Sequence, residues 1–223
     1  MERSLYEPGP RLDLRLIEAS LRGVQRDFPR INQALNFSRE PMDDAVVENM
    51  ISGYALISQL LEARVELLAL GNSAYLLELN TRVLCGTGER YRREYKKHIM
   101  ANIRRFYECT DGGIQGLYEW YILHRHESAW FCAAGIYIRI LSEPQLFIEG
   151  NDRTGALVMS YFLAKDGQPP FVLTTANAGA YFDYSAQIQK LSRTSLSRPF
   201  RLHRLKARIA GFLKDQANSG YLL

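Results

Sequence analysis

Residues 127–167 read "ESAWFCAAGIYIRILSEPQLFIEGNDRTGALVMSYFLAKDG", and the fold turns on how this stretch divides. Its opening, "ESAWFCAAGIYIRIL", is apolar almost all round, the mark of a central, buried helix. "RTGALVMSYFLAKDG" is a second buried helix, ending at Gly167. Between the two, Gly150, Asn151, Asp152, Arg153, Thr154 and Gly155 break the apolar run with small and polar residues. The chain therefore runs helix–loop–helix through its own core, with a polar loop where the second helix starts.

Working outward, apolar residues recur at spacings of three and four almost everywhere. Leu14, Ile17, Leu21, Val24 and Phe28 form one stripe, which Pro29 is expected to close. A second stripe runs from Val47 through Tyr54 and Leu61 to Leu68, with Gly71-Asn72 as its natural stop. A third helix covers Ser73 to Leu84, and a fourth follows Tyr91, Tyr95, Ile99, Ile103 and Phe106. Asp111, Gly112 and Gly113 form a turn signal beside β-formers, so a short hairpin is expected there. "QPPFVL" is an extended connector, because each proline disfavours helix in the residue before it. "NAGAYFDYSAQIQKL" and "FRLHRLKARIAGFL" supply the last two helices. The expected fold class is all-α, one helical domain over 1–223, with at most a small β-hairpin.

Composition narrows the class. The 223 residues are 47% hydrophobic and 23% charged, an ordinary globular balance that excludes a disordered chain. Three cysteines at irregular spacing, Cys85, Cys109 and Cys132, fit buried thiols better than a disulfide framework or a zinc site. The first residues alternate charge with leucine and lack a secretory apolar core, and no apolar run reaches membrane length. The expected setting is cytoplasmic, with no membrane partner. The net charge of +4 is concentrated in "RYRREYKKH", Arg90 to His98, and in the basic C-terminal helix of 192–223. Solvated helix faces account for most such runs; contact with nucleic acid or an acidic partner is the alternative.

The polar loop has a chemistry of its own. It sits at a helix start, where the leading N–H groups lack intrahelical partners and the macrodipole is positive. Two glycines allow close backbone approach, and Arg153 adds a planar cationic fork. That combination suits phosphate, although a plain glycine-turn N-cap would read the same way. No Gly-Lys-Ser/Thr follows, so it is not a Walker A loop, and flanking helices exclude a Rossmann fingerprint.

"FIEGNDRTGA" resembles the signature of the Fic (Fic/Doc) family, written H-P-F-x-[DE]-G-N-G-R-x-x-R, with Phe147, Glu149, Gly150, Asn151 and Arg153 at matching positions. The similarity spans 45–191, leaving 1–44 as an N-terminal helical extension. The resemblance implies a helical fold that binds ATP or another nucleotide with Mg²⁺. It also implies transfer of a nucleotide monophosphate, or another phosphate-linked group, to a hydroxyl of a target protein. Glu149 would be the magnesium-ligating acid, and Gly150 to Gly155 the phosphate-binding loop. Asp111, Gly112 and Gly113 would belong to a flap that aligns the target. Upstream, "DAVVEN" echoes the family's inhibitory-helix pattern through Asp44, Glu48 and Asn49.

Three departures bear on activity. Gln145 occupies the catalytic histidine's position, Ala156 the second arginine's, and Asp152 a glycine's. An amide is not a useful base, and losing general-base help typically costs on the order of 10²–10⁴ in rate. His126 is the better of two substitutes near the presumed flap, the other being His124. Ala156 removes one charge-assisted phosphate contact and leaves Glu48 without its expected partner. Asp152 sets a negative charge beside the loop. Three readings stand side by side: a pseudoenzyme or regulatory module that holds a small phosphorylated ligand; a divergent transferase; and a nucleic-acid-associated protein using the basic C-terminal helix.

Overall fold

Three short polar side chains set the starts of helices that the periodicity outlined. Asp13 accepts from the Leu16 N–H and opens α1 (Leu14–Ala34); Asp43 accepts from Val46 and opens α2 (Asp44–Glu62); Ser128 accepts from Phe131 and opens α7 (Ala129–Leu141). Between them lie α3 (Ser73–Cys85), α4 (Glu89–Glu94), α5 (Lys96–Glu108) and α6 (Ile114–His124). After them come α8 (Asn151–Lys165), α9 (Ala178–Gln189), α10 (Arg198–Asp215) and a 3₁₀ turn at Ser219–Tyr221. This computed structural model describes residues 8–110, 112–191 and 198–223. Among them the structure is all-α, and β-type pairing is confined to one isolated bridge between Leu12 and Leu222.

The pair α7–α8 is the centre. Every α8 residue from Thr154 to Ala164 is buried, as is almost all of α7 after its first turn. The two helices come close at Gly155, where an added Cβ would stand 2.8 Å from the Tyr137 ring and 2.9 Å from Leu141. One face of α10 (Leu205, Ile209, Ala210, Leu213) joins the same buried cluster, as do Ile17 and Leu21 of α1. The N- and C-terminal segments also clasp each other: Arg11 and Leu223 exchange backbone hydrogen bonds, and the Tyr221 and Ser20 hydroxyls pair at 2.7 Å.

Four boundaries differ from expectation. Pro29 does not close α1, which continues to Ala34. A proline costs a helix one N–H bond, and here the flanking turns stay anchored by buried Phe28 and by Asn32, whose amide exchanges hydrogen bonds with the Arg39 backbone. The second stripe stops at Glu62 rather than Gly71. Arg64 takes a left-handed φ of 53°, with Arg64 N–H on Leu61 O and Val65 N–H on Leu60 O, a Schellman closure. The apolar spacing continues past it because Leu67 and Leu68 are buried in a turn instead. The Tyr161 hydroxyl makes that possible, giving to Val65 O at 2.5 Å and accepting from Leu67 N–H at 3.3 Å. The fourth helix is broken at Tyr95 into α4 and α5.

The fourth difference is the hairpin. Gly113 N–H bonds to Cys109 O, and α6 starts at once at Ile114, so the segment turns into helix with no strand on either side. An added Cβ on Gly112 would lie 2.7 Å from Pro144 O, and one on Gly113 would lie 2.4 Å from Cys109 O, so both glycines serve tight packing. Asp111 lies outside the described residues. No described helix is long and apolar enough to cross a membrane. The three cysteines are free, with Cys85 and Cys132 buried.

Candidate functional site

Side-chain amides hold the loop between α7 and α8 in shape. Asn151 folds back on it: its Oδ1 accepts from Phe147 N–H at 2.9 Å, and its Nδ2 gives to Phe147 O at 2.8 Å and to Gln145 Oε1 at 3.0 Å. A second pair reaches in from α3 and α5. Asn80 gives to Glu149 O and Thr154 Oγ1 and accepts from Asn102, whose own Oδ1 takes Ile148 N–H at 2.7 Å. Arg105 gives Nε and Nη2 to the Gln145 carbonyl at 3.1 and 2.7 Å. Both asparagines are 2% exposed, so their amides have no water to fall back on and must stay paired.

Gly150 caps α8 at φ 75°, ψ 10°, and no side chain takes the leading N–H groups of that helix. Gly150 to Arg153 line a cavity of about 440 Å³, within the range typical of small-molecule sites. Its other walls come from α1, the 38–42 connection, α2, the 171–173 connector and α9, and include Phe28, Met50, Tyr54, Phe171, Tyr181 and Phe182. The cavity therefore joins a polar lining of mixed charge, Arg39 and Arg153 with Asp152, Glu40 and Glu149, to a largely apolar and aromatic one.

Arg153 gives Nη1 to the Val83 carbonyl at 3.0 Å. Its burial pulls the guanidinium pKa down, opposed by the charges of Glu40, Asp152, Asp43 and Glu149. Asp152 is not a free negative charge beside the loop. Arg39 pairs with it at 2.7 Å, Gln189 gives to it at 3.0 Å, and the Ser185 hydroxyl makes a short bond to its other oxygen. Arg39 is in turn held between the rings of Phe37 and Phe182, at 5.3 and 5.1 Å. Arg39 comes from the 35–43 connection and was not foreseen as part of the site. It stands in the same cavity as Ala156, where the family pattern wants a second arginine.

Glu149 points to the rim with its side chain 57% exposed, and its Oε2 lies 3.2 Å from His98 Nε2 without the alignment of a hydrogen bond. Among the described residues no three His, Cys, Asp or Glu side chains converge as a metal cage. Glu149 can offer a cation one carboxylate, and the other ligands would have to come from a bound phosphate and water.

Several expected site residues lie elsewhere. Thr154 and Gly155 belong to the α7–α8 contact: Thr154 is fully buried under Asn80, and Gly155 faces Tyr137 and Leu141. The helix turns about 100° per residue, so positions 154 and 155 point into the core before Ala156 comes round to the cavity again. His126 is exposed after α6 and does not line the cavity, while His124 stacks on Trp120 and bonds to its carbonyl. Asp44 and Glu48 face α1, where Arg22 stands 2.6 and 3.9 Å from them, while Val46 and Met50 of the same helix face the cavity. Asn49 reaches the Val83 carbonyl at 3.4 Å, the same oxygen that Arg153 takes. The expected inhibitory glutamate is thus on the wrong side of α2 to enter the cavity. Gly112 and Gly113 pack beside Pro144 and Cys109 and do not line the cavity either.

No family model, curated protein or solved structure matches this chain.

Proposed function

We propose that the protein is a divergent Fic-type module that holds a phosphate-bearing, partly apolar ligand, a nucleotide among the candidates, without carrying out ordinary nucleotidyl transfer. One observation carries the reading: the uncapped start of α8 opens, beside Arg153 and Arg39, into a 440 Å³ cavity whose other walls are mostly aromatic and aliphatic, with Glu40 and Glu149 among the polar remainder. Backbone N–H groups and guanidinium suit the phosphate, and the rings suit an apolar or planar body.

The same lining argues against transfer. Gln145 has its carbonyl oxygen engaged by Asn151, no histidine lines the cavity, and the Asp152 carboxylate is saturated by donors. The carboxylates left on the wall, Glu40 and Glu149, are both exposed to water rather than held at the start of α8. The exposed carboxylates of Glu40 and Glu149 add negative charge at the rim, so a polyphosphate would need a divalent cation to enter. Mg²⁺ brought in with such a ligand would meet Glu149 and would serve to neutralise phosphate charge.

A thermal-shift series with inorganic phosphate, ATP, other nucleoside triphosphates and sugar nucleotides, each with and without Mg²⁺, tests the binding. Stabilisation that needs Mg²⁺ for polyphosphates and vanishes in Arg153→Ala supports the reading. A flat response to every phosphate compound overturns it. The divergent-transferase reading keeps one specific support, the approach of His98 to Glu149. Label transfer from ATP to lysate protein by the unaltered chain, lost in His98→Ala, would establish it in place of the binding module.

A further inference from the structure

No residue of the basic run at Arg90 to His98 lines the cavity, which only His98 approaches, through Glu149, and the run's layout is not that of an ordinary solvated helix face. None of the residues of α4 is buried, so core packing does not explain why this six-residue helix is held where it is. One side chain does the holding. Arg92 gives Nη1 and Nη2 to Glu78 of α3 at 3.1 and 2.7 Å, and Nε to Gly86 O at 3.1 Å. With Arg92 turned inward, Arg90, Tyr91 and Arg93 are turned out.

The next helix continues the surface. Asn102 and Phe106 anchor α5 inside, and Lys96, Lys97, Met100 and Arg104 stand exposed. Arg93, Lys96, Lys97 and Arg104 have no carboxylate partner among the described residues, whereas α10 buries Lys206 against Glu127 and the Trp120 ring. Set among these cations are apolar groups left in water: Tyr91 is 58% exposed, Tyr95 40% and Met100 54%.

We infer that the α4–α5 face is a binding surface for single-stranded nucleic acid. Unpaired cations interleaved with exposed tyrosines match a strand that offers phosphates on one side and unstacked base faces on the other. An acidic polypeptide would satisfy the cations and leave the rings unused, and a duplex keeps its base faces stacked. At 1.5 Å per residue α5 alone is about 20 Å long, enough for a site of roughly four nucleotides, the low end for such surfaces. The inference is independent of what the cavity holds.

Fluorescence anisotropy on the full chain tests it, with labelled oligouridine and oligothymidine of about 20 nucleotides, above the usual site size, a duplex of equal length and a labelled polyglutamate peptide. The single strands are expected to bind at least about tenfold more tightly than duplex or peptide, the effect of one good base–aromatic stack. Replacing Arg93, Lys97 and Arg104 with alanine should reduce the salt slope of log affinity by about 2, at roughly 0.7 per phosphate contact. Tyr91→Ala with Tyr95→Ala should weaken binding about tenfold or more at an unchanged slope. The altered side chains are exposed, so melting temperatures should hold, and Lys96→Glu with Lys97→Glu gives a second, charge-reversed check. Equal affinity for duplex or for polyglutamate overturns the inference, as does binding that survives these changes and is lost instead in Arg204→Ala with Arg208→Ala on α10.

Discussion

Replacing Asp152 with alanine removes an acceptor that side chains from three other parts of the chain share: Arg39, Tyr137 of α7, and Ser185 and Gln189 of α9. Arg39 would keep the Ser185 hydroxyl at 3.0 Å and a long contact to Phe182 O at 3.4 Å, with its guanidinium still enclosed by two rings. Breaking a buried ion pair by deleting one partner costs about 3–5 kcal/mol. The Arg39 and Asp152 side chains are 19% and 21% exposed, which places this pair at the low end, about 3 kcal/mol. For a chain of this size that loss lowers the melting temperature by roughly 6–12 °C. Urea denaturation followed by circular dichroism measures it, in a cycle with Arg39→Met and the double variant. The double variant should be less damaged than the sum of the singles by about 1–3 kcal/mol, since each single strands the other's charge. Single losses below about 1 kcal/mol, with an additive double, would refute the view that Asp152 ties the loop to α9 rather than standing as a free charge beside the cavity.

Gly155→Ala should destabilise by about 1–3 kcal/mol through overpacking against Tyr137 and Leu141, while phosphate binding in a thermal-shift assay persists; lost binding in a stable variant would return Gly155 to the site. Glu78 gives a pH signature. Burial raises its pKa, but hydrogen bonds from Arg92 and Arg82 outweigh that and hold the carboxyl below its ordinary 4.5. A depressed carboxylate stabilises the fold above its unfolded value and loses that contribution as pH falls through the folded value. Wild type should therefore exceed Glu78→Gln in urea midpoint at neutral pH, and the gap should shrink below about pH 4.5; a gap independent of pH would contradict the pairing. Burial pushes the Cys132 thiol up to about 11. Alkylation of the native protein near neutral pH should spare Cys132 and reach half-buried Cys109 first, and equal labelling by mass spectrometry would show that α7 opens.

Periodicity was enough to read the all-α class, because a core-facing helix must repeat apolar residues at three and four whatever it packs against. The central position of α7 and α8 was legible for the same reason, since helices apolar on every side have nowhere else to go. That a glycine stands at the start of α8 was plain, but one reason for it was not: its left-handed turn meets Asn80 and Val83 at close range, contacts that only the packing of α3 supplies. Where α2 ends was not legible. The Tyr161 hydroxyl, 96 residues from Val65, satisfies the turn that replaces its last turns. The hairpin was misread because turn chemistry at Gly112 and Gly113 is local, while Pro144 and the Cys109 carbonyl decide which way the chain leaves it.

The site divides in the same way. Sequence alone determined that Gly150 to Arg153 would present N–H groups and a guanidinium at a helix start, because that follows from backbone geometry within a few residues. It also determined that Gln145 cannot act as a base. Tertiary structure decided the rest. Asn80, Asn102 and Arg105 reach the loop across separations of 69, 46 and 40 residues, and Arg39 reaches Asp152 across 113, with no local pattern to announce them. Helix rotation turned Thr154, Gly155 and Glu48 away from a cavity that their numbering placed them beside. Local spacing fixes which groups share a helix face, and packing fixes what that face meets.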